Sequence, residues 1–142
     1  MAYLIFNSDN NLIKIAANDS DRDSQNIVLS DHSVISVSDA DFLKIKTNAA
    51  VATYDGTNVI ITDISVTIET EEDLKITFKN IIKPITEFLE NNQNNSFYVG
   101  LNNYKQYLEN FNTSSITFPL EKSWEQYCSE NSITCYHPLQ IP

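Results

Sequence analysis

A chain of 142 residues that is 42% hydrophobic, with seven tyrosines and seven phenylalanines, holds enough apolar material to fill a core and is not a disordered composition. Nineteen acidic residues against nine basic ones leave a net charge of −10. That field repels phosphate backbones and argues against a nucleic-acid partner. Two glycines, two histidines and two cysteines are too few and too scattered for a phosphate-cradling loop or most metal and acid–base sites.

Taken in chain order, the first half reads as β-rich. Tyr3 to Phe6 is an apolar, β-prone run, and Leu12 to Ala16 resumes it after the turn formers Asn7-Ser8-Asp9-Asn10-Asn11. A second hairpin joins Val51–Tyr54 to Val59–Thr62 through Asp55-Gly56-Thr57-Asn58. Asp-Gly between β-branched runs is a specific turn signal, because glycine accepts positive φ without steric cost. Ile27 to Leu29 and Val34 to Val37 are two further candidate strands. Ser38 can cap a short helix that starts with Asp39 and Asp41 and carries Phe42 and Ile45 on one face.

The second half reads as helical. Thr70-Glu71-Glu72-Asp73 resembles a capping box, and Leu74, Phe78, Ile81, Ile85 and Phe88 follow at spacings that keep one apolar stripe. Pro84 lies within the stripe and predicts a kink there. Asn91 to Asn95 is a polar linker. Tyr104, Tyr107, Leu108 and Phe111 mark a short helix. Leu120, Trp124, Tyr127 and Cys128 mark another, with Pro119 at its start. The tail from His137 to Pro142 holds two prolines and reads as extended. The expected fold is therefore α+β: a β-rich subdomain over 1–67 with two hairpins, and a helical subdomain over 68–142 with three to four short helices, or a single domain combining both.

Several constellations bear on chemistry. Asp19, Asp21 and Asp23 alternate as in a calcium loop, which makes them the candidates for a metal. Ser24 stands where such a loop needs glycine, Ser30 where it needs a bidentate Glu, and Arg22 intrudes among the ligands. A solvated, Asx-rich turn is the favoured reading, and no metal or other cofactor is expected. Cys128, Cys135 and His137 give C-x6-C-x-H, spaced too widely for a zinc knuckle and short of a fourth ligand. Cys128 reads as a small core residue. Cys135 and His137 form a conceivable nucleophile–base pair with no evident third group to orient the imidazole. The paired carboxylates near helix starts (Asp39, Asp41, Glu71, Glu72 and Asp73) are explained by the helix dipole. No catalytic residue is assigned.

Ser38-Asp39-Ala40-Asp41-Phe42, Ala52-Thr53-Tyr54-Asp55-Gly56-Thr57-Asn58-Val59 and the ending Pro138-Leu139-Gln140-Ile141-Pro142 resemble patterns in small proteins of tailed bacteriophages, especially marine T4-like phages of cyanobacteria. The resemblance covers about a third of the chain. It implies a phage accessory or virion-associated role and transfers no functional residue. The start Met1 to Phe6 has no basic flank, and no apolar run reaches membrane-spanning length. The expected location is therefore cytoplasmic (that of the host cell, for a phage protein) or within the virion, with no membrane partner and no secretion. The leading expectation is a non-enzymatic structural or protein-interaction protein. A small-ligand or Ca²⁺-binding module comes second and a small hydrolase third. Its partners are other proteins, including a second copy of itself. The stripe Leu74, Phe78, Ile81, Ile85 and Phe88 is the candidate interface, because its apolar arc is wide for the short helices beside it.

Overall fold

The opening run Ala2–Asn7 forms β1, the middle strand of a three-stranded antiparallel sheet ordered β2-β1-β3, with β2 at Leu12–Ala16 and β3 at His32–Val37. A central strand has a neighbour on each side and cover on both faces. Accordingly Ala2, Leu4, Ile5 and Phe6 are all fully buried in the computed structural model, which describes residues 1–25 and 30–142. The candidate strand Ile27 to Leu29 lies outside the described residues. The β1–β2 turn closes on Asn7, whose side-chain oxygen accepts the backbone N–H groups of Asp9 and Asn11, while Asn10 takes φ 62°.

Between β2 and β3 the chain forms α1, Asp19–Ser24. This corrects the expected Asx-rich turn. Asn18 caps the helix by accepting the Asp21 N–H at 2.9 Å, and Asp19 and Asp21 occupy its positive end. The carboxylates that imitate a calcium loop are those that start a helix. Helix α2, Asp39–Lys46, is capped by Ser38 as expected and buries Phe42 and Ile45. The second hairpin pairs β4, Ala50–Tyr54, with β5, Val59–Asp63. Asp55 accepts the N–H groups of Thr57 and Asn58 at 2.8 and 2.7 Å, and these donors hold its carboxyl below the usual range. Gly56 sits at φ 95°, a backbone state that side chains resist.

The chain divides into two units, Met1–Ile64 and Ser65–Ile141. The second is built on α3, Glu71–Asn91, and α4, Tyr98–Asn110. Thr70 caps α3 by accepting the Asp73 N–H. The helix runs unbroken through Pro84, carrying its stripe in one phase. Helix α5 spans Trp124–Glu130. It starts not at Pro119 but at Ser123, which with Gln126 makes a complete capping box. Leu120 lies outside this helix and is paired instead with Ile68 through two backbone hydrogen bonds of 2.8 Å. The tail also departs from the extended expectation: Pro138–Gln140 is a single 3-10 turn, with Pro138 in the first-turn position that proline tolerates. The whole is an α+β fold, with β-hairpins first and several short helices after them. Among the described residues no helix is long and apolar enough to cross a membrane.

Candidate functional site

The stripe expected as an interface lies in the interior of its own unit. Leu74 and Ile85 are fully buried, and Phe78, Ile81 and Phe88 nearly so. They pack with Leu101, Tyr104 and Leu108 of α4 and with Trp124 and Cys128 of α5. The stripe is therefore taken up by the core of its own unit and offers no open contact face. The physical reason is the aromatic cover that the short elements bring. Phe78 and Phe111 each set a ring edge against Trp124, at centroid distances of 4.6 and 5.1 Å, and Tyr127 stacks on Trp124 at 5.4 Å. Trp124 Nε1 donates to the Tyr104 hydroxyl at 3.0 Å, so the buried polar tips satisfy each other.

The candidate metal residues do not converge. On α1, Asp19 and Asp23 are four apart and share a face, while Asp21 lies on another. Each is already engaged. Asp19 accepts the Tyr3 hydroxyl and lies 3.6 Å from Arg22, Asp23 pairs with Arg22 at 3.2 Å, and Asp21 accepts the Ala17 N–H. The Arg22 guanidinium also lies 4.6 Å from the centre of the Tyr3 ring. This network pins α1 to β1, and the Tyr3 hydroxyl holds the Asp19 carboxyl below its ordinary range.

The structure brings Cys128 and Cys135 together, both buried and both free of a disulfide. Their mutual hydrogen bond, followed by burial, pushes the Cys128 thiol well up. A thiol held protonated is the opposite of what nucleophilic chemistry needs. His137 serves as a cap: its Nδ1 accepts the Leu139 N–H at 3.0 Å, and burial lowers its pKa to about 4. A neutral imidazole that accepts a backbone donor fits that shift. Burial likewise pushes the Tyr104 hydroxyl far up, with the two thiols adding to it. Gly100, on α4, faces this region closely. A Cβ there would run into the Tyr136 hydroxyl and lie 3.1 Å from its ring carbon Cζ.

A cavity of about 570 Å³ opens along α3 beside the end of α4. The half-buried Ile82 and Phe111 and the nearly buried Phe78 and Leu108 line it, and Lys75, Lys79 and Lys83 form one edge. Spacings of four residues put the three lysines on one helix face, about 12 Å from first to last by the helical rise. Glu109 stands among the α4 residues that line it, and Thr113 completes it. Thr113 Oγ1 donates to Glu71 at 2.7 Å, and Glu71 lies 3.7 Å from Lys75. Lys79 and Lys83 are exposed and take part in none of the ion pairs among the described residues.

The periodicity of α3 marks its apolar stripe and says nothing of the lysine face beside it. The signal was present: between Asp73 and Glu87 the chain carries three lysines and no acidic residue, in a protein of net charge −10. What the sequence did not show is that Phe111 and Leu108 come to lie beside that ridge. Comparison of the chain with family models, curated proteins and solved structures finds no match.

Proposed function

We propose that this chain is a non-enzymatic protein-interaction protein that serves a tailed bacteriophage as a virion-associated or assembly component. The observation that carries the interaction reading is the lysine-edged groove on α3: the half-buried Ile82 and Phe111 beside a row of exposed lysines, on an otherwise strongly acidic chain. The phage assignment rests on the likeness of the Ser38–Phe42, Ala52–Val59 and Pro138–Pro142 segments to small phage proteins. The ionisable groups favour binding over catalysis. The hydrogen bond with Cys135, followed by burial, holds the Cys128 thiol protonated, and His137 is engaged in capping.

Mass spectrometry of purified particles and of infected-cell lysate from the natural source tests the reading. The chain in particles supports a virion role, and the chain in lysate alone supports an assembly role. Production in cells that carry no phage overturns the phage assignment.

A further inference from the structure

We infer that the groove along α3 seats an amphipathic helix of a partner protein, with carboxylates spaced four residues apart meeting Lys79 and Lys83. The inference rests on the interaction reading above and names the partner's chemistry. The half-buried Ile82 and Phe111, backed by the core residues Phe78 and Leu108, take an apolar stripe, which is the helix-in-groove mode of recognition. The lysine row runs parallel to α3, and its residues are one helical turn apart. A partner helix laid along α3 presents carboxylates at the same interval when they stand at i and i+4. A single carboxylate headgroup engages one lysine and leaves the row unused.

Lys75 is already balanced by Glu71, so Lys79 and Lys83 are the reading pair. Glu109 fixes the orientation, because the partner's acidic edge must lie against the lysines and away from this carboxylate. A nucleic-acid strand also offers repeated negative charge. It would meet Glu109, an apolar surface and the field of a chain at −10.

The test uses the full chain and a fluorescein-labelled synthetic peptide of roughly 15 residues, long enough to hold helix on binding. The peptide carries Leu at i, i+3, i+4 and i+7 and Glu pairs four apart on one flank. A control peptide has Lys in place of every Glu. Fluorescence anisotropy at low ionic strength should show the Glu peptide binding and the Lys peptide failing to bind. The Lys79→Glu/Lys83→Glu double variant should weaken the Glu peptide by roughly tenfold or more, and added salt should weaken it in the wild type. Both lysines are exposed, so the variant should keep the wild-type melting curve and Trp124 fluorescence. Equal binding of the two peptides, no effect of the double variant, or tighter binding of single-stranded DNA or phosphatidylglycerol vesicles than of the Glu peptide overturns the inference. A virion partner cross-linked to a surface other than α3 also overturns the groove assignment while leaving the interaction reading in place.

Discussion

His137 makes the stability of the helical unit depend on pH in a predictable direction. Its imidazole is neutral in the fold, with Nδ1 accepting the Leu139 N–H, and burial depresses its pKa to about 4 from the ordinary 6.5. Between those values the unfolded chain binds a proton that the folded chain refuses, so stability rises with pH. The contribution is complete above about pH 6.5 and is lost as pH falls toward 4. The full shift corresponds to about 3 kcal/mol, of which about 2 kcal/mol is lost between pH 7 and pH 5. The assay is urea unfolding followed by the fluorescence of Trp124, the single tryptophan, which lies in the same unit as His137. His137→Asn is the comparison, since asparagine can still cap the 3-10 turn but does not titrate. Carboxylate titration is common to both proteins and cancels in the difference. Wild type should lose about 2 kcal/mol more than the variant over this pH range. Parallel losses in the two proteins would refute the reasoning.

Three further outcomes follow from the packing of the same unit. Ile85 is fully buried, so Ile85→Ala should cost about 3 kcal/mol in urea unfolding and leave the light-scattering mass unchanged; full stability with a halved mass would restore the stripe as an interface between copies. Gly100→Ala should destabilise by roughly 1–2 kcal/mol despite alanine's better helix propensity, and Tyr136→Phe should relieve most of that cost by removing the hydroxyl in the way; additive effects in a double-mutant cycle would show that the two sites do not meet. A chromogenic disulfide reagent at pH 8 should leave Cys128 and Cys135 unreacted in the native protein and titrate both in urea; rapid reaction of either native thiol would contradict the burial of both.

Several elements follow from signals a few residues long. Asp55-Gly56 between β-branched runs specifies the β4–β5 hairpin, because the glycine's positive φ and the carboxylate's two backbone bonds are local. Ser38 and Thr70 cap the helices expected of them for the same reason. The stripe on α3 is legible in its periodicity alone, and it stays in register through Pro84. Asn18 carries the same kind of local signal, which the turn reading of Asp19 to Ser24 passed over. Alternating aspartates satisfy both a calcium loop and a first helical turn, and the cap settles which one forms.

What the stripe faces is a different kind of question. The wide apolar arc of α3 reads the same whether a second copy or the chain itself covers it. Only the tertiary structure brings Trp124, Phe111 and Tyr104 onto it. The pairing of Leu120 with Ile68, and the meeting of Cys128 with Cys135 around the end of α5, are likewise decided by where the chain returns. The lysine row is a property of the sequence, since helical spacing alone aligns Lys75, Lys79 and Lys83. The groove beside it is not, because its surface includes Leu108 and Phe111, which reach α3 through the path of α4 and the chain after it. Caps, turns and periodicity act over one or two turns of chain and are written into it. Burial, a raised thiol pKa and a groove depend on residues far apart in sequence, and packing alone brings them together.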